Sequence, residues 1–208
     1  MKTARALCFV GMSGVGKTYW ARRLAREASY LVHDCDAEIA ARLASIVTPL
    51  PNEEPVHALG RWMGMPWTAG YAERETRYLA LEDDVTRAAL TDAREGHVID
   101  TTGSVLYLPR ERLDAIRARC RVVYLRTPDA RRDAMLRRYL EEPKPVVWAG
   151  AFHAAPNQPP LDALPSAYRA LLASRDKLYD SLAHVTLDGG ALESDPPSVA
   201  EFLARIAA

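Results

Sequence analysis

The sequence predicts an α/β domain in which one parallel sheet is covered by helices on both faces. Five short apolar runs alternate with helical stretches along the 208 residues, which is the order that builds parallel sheets. A glycine-rich turn joins the first apolar run directly to the first helical stretch. A chain of this length suits one full hydrophobic core, so we expect residues 1–208 to form a single domain.

The strands are predicted from runs short enough to be buried on both faces of a sheet. They lie at 6–10, 30–33, 97–99, 121–125 and 184–187. Helices are predicted at 19–28, 37–44, 71–94, 109–119, 128–140, 166–182 and 198–206. Pro109 and Pro128 stand where the first turn of a helix tolerates proline.

The turn after the first strand matches the phosphate-loop pattern G-x-x-x-x-G-K-[ST] at every fixed position. Its glycines let backbone N–H groups face phosphates, and the following helix N-terminus favours the same anion. We expect Lys17 to reach the β- and γ-phosphates of ATP and the Thr18 hydroxyl to ligate Mg²⁺. The residues expected to bind the nucleotide are Gly11, Ser13, Gly14, Val15, Gly16, Lys17 and Thr18.

Two proline- and glycine-rich segments, 47–70 and 141–165, interrupt the alternation. Long connections on such scaffolds are often binding loops or lids. We expect 47–70, which carries Trp62 and Trp67, to be a substrate-binding insertion and 141–165 to be a lid. The alternative for each is a disordered surface insertion.

Carboxylates follow two of the predicted strands. Asp34 and Asp36 come after the second strand, and Asp100 ends the third before Thr102-Gly103-Ser104. Ligands of open α/β sheets bind at these strand ends, where acids hold Mg²⁺ or orient an attacking hydroxyl. The alternatives are a helix N-cap with a solvated acid for the pair, and an ordinary polar turn after Asp100.

A cluster of cations lies on the helix predicted at 128–140 and on the loop behind it, and it comprises Arg131, Arg132, Arg137, Arg138 and Lys144. Phosphoryl transfer needs mobile cations near the transferred group. The alternative is a solvated outer helix face.

Charge and cysteine content indicate which kinds of partner and which cellular compartment to expect. The 27 basic and 27 acidic residues give zero formal net charge, which argues against a nucleic-acid partner. No segment resembles a signal peptide or a membrane span. Cys8, Cys35 and Cys120 have no metal-type spacing and are expected to be reduced thiols. We expect a cytoplasmic monomer or weak dimer.

With these residues placed, the chain resembles the shikimate kinase family of small P-loop kinases over most of its length. The phosphate loop, the run 31–36 ending in D-x-D, the turn 98–105 and the strand 122–125 match in order. Lys144-Pro145-Val146-Val147 stands where the family has an R-P-L-L lid motif. Segments 168–172, 175–179 and 185–188 resemble its R-x-P-L-Y helix and closing strand.

The resemblance implies the three-layer P-loop kinase fold, a five-stranded parallel sheet of order 2-3-1-4-5 with helices on both faces. It implies that Lys17 and Thr18 hold phosphate and metal, with Asp34 as the Mg²⁺-side acid. Asp100 is an additional candidate on the metal side. Arg132, or else Arg131, would lie over the adenine.

On the acceptor side, the resemblance implies that Asp36 binds the reacting hydroxyl and that Arg175 meets an acidic or polar substrate group. Gly103 would lie in the turn beside the substrate. Lys144 would act as the catalytic lid cation, together with Lys17 and Asp36.

Departures from the family concern the acceptor. The best match to its F-R-x-x-E motif is 71–75, which puts Ala72 in place of the arginine. Arg74, two positions later on a helix, points about 200° away. Lys144 offers a point charge where the family has a forked guanidinium. Together with the long tryptophan-bearing loop, these departures favour an acceptor larger or less charged than shikimate.

The predicted function is therefore an ATP- and Mg²⁺-dependent kinase that phosphorylates a hydroxyl of a small metabolite. The alternatives are a nucleotide or nucleoside kinase and a nucleotide-binding regulatory protein that has lost catalysis. The intact lysine, threonine and three aspartates argue against the last.

Overall fold

The computed structural model describes residues 5–207 of the chain. Its strands are β1 (Ala6–Val10), β2 (Leu31–Asp34), β3 (His97–Asp100), β4 (Cys120–Arg126) and β5 (Val185–Asp188). They form one sheet of order β2-β3-β1-β4-β5, in which every pairing is parallel. The predicted fold class and strand order are confirmed.

The helices lie on both faces of this sheet. They are α1 (Lys17–Ala28), α2 (Cys35–Leu43), α3 (Pro55–Met63), α4 (Tyr71–Asp92), α5 (Arg110–Arg119), α6 (Arg132–Glu141), α7 (Pro160–Leu182), α8 (Gly189–Ser194) and α9 (Val199–Ala207). Short 3-10 turns occupy Val105–Tyr107 and Asp129–Arg131. Within residues 5–207, no helix combines the length and apolarity needed to cross a membrane.

Aromatic packing holds α1, and with it the phosphate loop, on one face of the sheet. The rings of Trp20 and Phe202 stack with centroids 4.1 Å apart, and Phe9 of β1 meets Phe202 edge-on at 5.9 Å. All three side chains are buried. Such pairs add about 1 kcal/mol each beyond the burial of their area, so the loop rests on a rigid base.

Two helical pieces lie where the sequence predicted long loops. Helix α3 falls within 47–70, and α7 begins at Pro160 within 141–165. Gly60 lies inside α3 because a Cβ there would stand 2.1 Å from the Pro143 carbonyl oxygen. Pro165 costs α7 only one backbone hydrogen bond near its start. Gly60 and Pro165 therefore lie within helices, although the sequence analysis counted them as loop residues.

Candidate active site

The phosphate loop joins the end of β1 to the start of α1. Gly11 has φ 141°, and a Cβ at this position would lie 2.6 Å from the Leu125 carbonyl oxygen. Gly16 has φ 101°, a backbone conformation that residues other than glycine rarely adopt. The sequence here is therefore dictated by backbone geometry, and it leaves the loop N–H groups and the helix N-terminus facing one space.

Lys17 is buried beneath this loop. Its Nζ donates hydrogen bonds to the carbonyl oxygens of Gly11 at 2.8 Å and Met12 at 3.1 Å. Burial lowers the pKa of the ammonium, while the nearby Asp100 and Asp36 carboxylates raise it. The lysine is thus held at the loop by weak neutral acceptors, which an anionic phosphate would outcompete.

Asp34, Asp36 and Asp100 meet at the same edge of the sheet. Asp34 pairs in register with Asp100 across β2 and β3. Its Oδ1 accepts a hydrogen bond from the Ala37 N–H at 3.0 Å, so Asp34 does cap α2. The Asp34 side chain also lines a cavity together with Asp36 and Thr18. Asp34 can therefore cap α2 and line the cavity at the same time.

The buried Asp100 and the half-buried Asp36 have perturbed pKa values. Burial raises the pKa of Asp100 to about 6, although the charge of Lys17 and the nearby Thr18 hydroxyl act to lower it. Burial also raises the pKa of Asp36, against the lowering effect of Lys17, and Tyr78 donates to its Oδ1 at 3.2 Å. Among residues 5–207, no partner donates to Asp100 Oδ1. Perturbed carboxyls of this kind are typical of functional sites.

Glu82 is a site residue that the sequence analysis missed. Its carboxylate is fully buried on α4 and accepts hydrogen bonds from the hydroxyls of Thr102 and Ser104. Burial raises its pKa to about 7, against those two hydroxyls, which lower it. The sequence does contain a sign of this role. Glu82 is a charged residue at a position that helical spacing places on the buried face of α4, with Tyr78, Val85 and Ala89.

The structure corrects the predicted match to the F-R-x-x-E motif. Tyr78 and Glu82, rather than Tyr71 and Glu75, are the aromatic and acid next to Asp36 and the 102–104 turn. The same i, i+4 spacing recurs seven residues later, which is about two helical turns. In that register Leu79 stands where the motif has its arginine. Either register leaves the arginine position without a cation.

Arg175 lies beside Gly103, as expected, but it is enclosed. Only 2% of its surface is exposed. Its Nη1 donates to the Gly103 carbonyl oxygen at 3.0 Å, its Nε donates to the Tyr107 hydroxyl at 3.3 Å, and its Nη2 donates to the Val147 carbonyl oxygen. Each nitrogen of the guanidinium is therefore engaged by the protein itself.

Arg74 and Arg61, two other cations of this region, also have protein partners. Arg74 donates from Nε to the Met63 carbonyl oxygen at 3.0 Å, and Arg61 pairs with Glu53 at 2.9 Å. Neither Trp62 nor Trp67 of segment 47–70 lines the cavity that Asp34, Asp36 and Thr18 share. Trp67 instead packs on Phe152, with ring centroids 5.1 Å apart.

Two cavities meet at Lys144. One, of about 380 Å³, is lined by Ser13 and Gly14 of the phosphate loop, by Lys144 and by arginines of the 131–138 region. The other, of about 600 Å³, is lined by Thr18, Asp34, Asp36 and Lys144 at one end. Lys144 thus stands at the border between a phosphate-loop side and a carboxylate side.

The arginine expected over the adenine is placed differently. Arg132 pairs with Asp129 at 2.7 Å and with Asp176, and it is absent from the lining of both cavities. Its alternative, Arg131, does line the smaller cavity, and it is joined there by Arg137 and Arg138. A shift of one residue decides which of these two adjacent arginines faces the loop, and sequence spacing alone did not resolve it.

Phosphate-binding and acid groups from four chain segments thus converge at one edge of a parallel sheet, with a cation between their cavities. This arrangement defines the class: the protein is a P-loop kinase.

Comparison with known proteins identifies the family. The chain is 30% identical to a shikimate kinase of Aromatoleum aromaticum over 187 residues, covering 87% of this chain and 83% of that one. It is 28% identical to a shikimate kinase of Ralstonia nicotianae over 195 residues, covering 94% and 81%. No family model matches the chain.

Solved structures share the fold. The shikimate kinase from Acinetobacter baumannii in complex with shikimate superposes with a TM-score of 0.64 at 22% identity, covering 99% of this chain and 92% of that one. The enzyme from Aquifex aeolicus gives 0.59 at 18% identity, covering 97% and 96%. The chain belongs to the shikimate kinase family. Its activity is ATP-dependent transfer of a phosphoryl group to a hydroxyl of a small molecule.

Proposed function

We propose that this kinase uses Mg²⁺ with ATP and phosphorylates a hydroxyl of a small metabolite other than shikimate. The position of Lys144 is the observation that carries the proposal. It lines both the cavity at Ser13 and Gly14 and the cavity at Asp36. A phosphoryl group that passes from nucleotide to acceptor would cross this border, where a mobile ammonium neutralises the charge of the transition state.

The residues at the loop fit a Mg²⁺–ATP complex. Asp100 Oδ1 is buried, acidic and without a donor among residues 5–207, and carboxylate and hydroxyl oxygens are the ligands that Mg²⁺ prefers. We assign Thr18, Asp34 and Asp100 to the metal, and Lys17 with the loop N–H groups to the phosphates. The metal, when bound, would offset phosphate charge. Arg131, in place of Arg132, is the arginine we assign to the nucleotide.

Asp36 is proposed to orient the acceptor hydroxyl and to accept its proton. The carboxylate is held by the Tyr78 hydroxyl at 3.2 Å and opens into the cavity that Lys144 borders. The pKa of Asp36 is raised in the direction of neutral pH. This suits a group that must take a proton and later release it. Gly103 and Arg175 are proposed to shape the acceptor end through the 102–104 turn.

Two segments outside the sheet are proposed to complete the site. Within 47–70, Val56 and Leu59 of α3 wall the cavity at Asp36, which supports an acceptor-binding role. Within 141–165, Lys144 borders both cavities, which supports the role of a lid. Cys8, Cys35 and Cys120 are buried and unpaired, which supports a reducing, cytoplasmic location. We propose a single domain that is a monomer or weak dimer.

An ATP-consumption screen over hydroxyl-bearing metabolites, shikimate and nucleosides included, tests the function, with products identified by mass. The Asp36→Asn variant should transfer at a rate lower by roughly 10² or more, while nucleotide affinity stays within a few-fold. The matched control is Asp195→Asn on the exposed surface. Preference for nucleosides, or normal turnover by Asp36→Asn with collapsed ATP binding, would contradict the proposal.

A further inference from the structure

We infer that the acceptor is an uncharged alcohol whose apolar body packs into the cavity between α2 and α3. The inference rests on the proposed function, because it takes Asp36 as the group at which the hydroxyl reacts. It adds the chemical class of the acceptor, which neither the family nor the fold specifies for this chain.

The walls of that cavity are apolar beyond its acidic end. Helix α2 contributes Ala37, Ala40 and Ala41, and Ala44 follows at its C-cap; the four alanines repeat at the spacing of one helix face. Helix α3 contributes Val56 and Leu59 from the opposite side. An apolar cavity with a few polar groups at one end binds a ligand by its hydrocarbon body and orients it by its polar group.

The size of the cavity exceeds what a hydroxyl and its nearest carbons need. It measures about 600 Å³, which is within the range of about 300–1,000 Å³ that sites for whole small molecules occupy. The small alanine side chains create this space, because any larger residue at positions 40, 41 or 44 would extend into it. The open volume lies on the α2–α3 side of Asp36, and its lining residues include neither Gly103 nor Arg175.

The charges around the cavity disfavour an anionic acceptor. Its lining includes three carboxylates, Asp34, Asp36 and Glu54, and two cations, Arg22 and Lys144. Lys144 is assigned to the transferred phosphoryl group and Asp34 to the metal, which leaves the cation Arg22 against the acids Asp36 and Glu54. An anion placed beside Asp36 would also lose hydration without a partner, and that loss is costly in a partly buried site.

Arg175, which the family resemblance assigns to an acidic substrate group, is not free to clamp an anion. Arg175 donates from all three nitrogens to protein acceptors. One of these is the Val147 carbonyl oxygen of the lid segment. The Glu82 carboxyl is also buried nearby, held by Thr102 and Ser104. A substrate carboxylate that bound to Arg175 would have to break these contacts and lie close to the Glu82 carboxyl.

Matched acceptor pairs test this inference in the full-length enzyme with ATP and Mg²⁺. The pairs are shikimate against methyl shikimate, and 3-phenyllactate against methyl 3-phenyllactate. Turnover is followed by product mass, and binding to the nucleotide-loaded protein is measured by calorimetry. We expect the neutral member of each pair to have a kcat/KM at least tenfold higher. Equal or better use of the anionic member, or failure of both neutral members to bind, overturns the inference.

A cavity-filling variant tests the location. Ala41→Leu should raise KM for methyl 3-phenyllactate at least tenfold and leave KM for ATP within twofold, because the added carbons occupy the apolar end. The control is Ala88→Leu, an exposed alanine on α4. If Ala41→Leu lowers the melting temperature, Ala44→Leu replaces it. Unchanged acceptor KM in the folded variant overturns the location.

The Asp36→Asn variant keeps the two proposals separate. If it transfers phosphate normally, the proposed role of Asp36 fails, while calorimetry on the neutral pair members still decides which acceptor class the cavity binds. If transfer requires Asp36 but carboxylates are preferred, the kinase assignment stands and the acceptor class is wrong.

Discussion

The carboxylate of Glu75 on α4 accepts a hydrogen bond from the backbone N–H of Trp148, 73 residues later in the chain. It also accepts one from the Ala149 N–H at 3.0 Å. The Tyr71 hydroxyl lies 2.7 Å from the Val146 carbonyl oxygen. Residues 146–148 are consequently buried against α4 and α7, which argues against the alternative that this part of 141–165 is a disordered insertion.

Removing the Glu75 carboxylate should loosen the lid. Glu75→Ala leaves the Trp148 and Ala149 N–H groups without their acceptor, and bonds to charged groups contribute about 1.5–3 kcal/mol each. We expect amide exchange at 146–149 to become at least tenfold faster, measured by mass spectrometry. The control is Glu73→Ala, exposed on the same turn of α4. Unchanged exchange would show that apolar burial alone holds this segment.

The same measurement tests the lid assignment. If 141–165 closes over bound ligands, saturating nucleotide and acceptor together should slow exchange beyond residue 149, where the chain is exposed. Exchange that is indifferent to both ligands would contradict a lid.

Nucleotide binding should depend on Lys17. Its ammonium is already desolvated beneath the loop, so a phosphate that displaces the two carbonyl contacts gains a charge-assisted bond at little added cost. Lys17→Ala should lose at least tenfold in ATP affinity, measured by calorimetry. Lys177→Ala, on the exposed side of α7, is the matched control. A folded Lys17→Ala with normal affinity and turnover would refute the phosphate-loop assignment.

Glu82 should make stability depend on pH. Its pKa is about 7 in the folded protein and 4.5 ordinarily, so between these values the native state holds a proton that the unfolded chain has released. The free energy of unfolding should fall as pH rises through this window. Relative to Glu82→Gln, the wild type should lose on the order of 2–3 kcal/mol between pH 4.5 and 8, measured by denaturant titration. A pH-independent difference would contradict this.

Shikimate should be a poor substrate, with kcat/KM below about 10⁴ M⁻¹s⁻¹. Leu79→Arg places a guanidinium one residue after Tyr78, where the corrected motif has its arginine, and should lower KM for shikimate at least tenfold through a charge-assisted contact. Ala72→Arg, two turns earlier, is the control and should have little effect. If Ala72→Arg lowers KM for shikimate and Leu79→Arg does not, the original match of the motif to 71–75 is correct.

The sequence by itself determined the parallel sheet, its strand order through the family resemblance, and the phosphate loop. These are local or periodic properties: glycine backbone geometry, short apolar runs and the order of strands and helices do not depend on distant contacts. Asp34, Asp36 and Asp100 were also predicted to meet, because the carboxyl ends of parallel strands share one edge.

Only the tertiary structure decided which side chains of α4, α6 and α7 face that edge. Tyr78 and Glu82 replaced Tyr71 and Glu75, Arg131 replaced Arg132 at the cavity, and Arg175 was enclosed by Val147. Helix position and exposure depend on contacts between segments far apart in the chain, as Gly60 against Pro143 shows. A motif with i, i+4 spacing recurs along any amphipathic helix, so only packing selects the copy that lines the site.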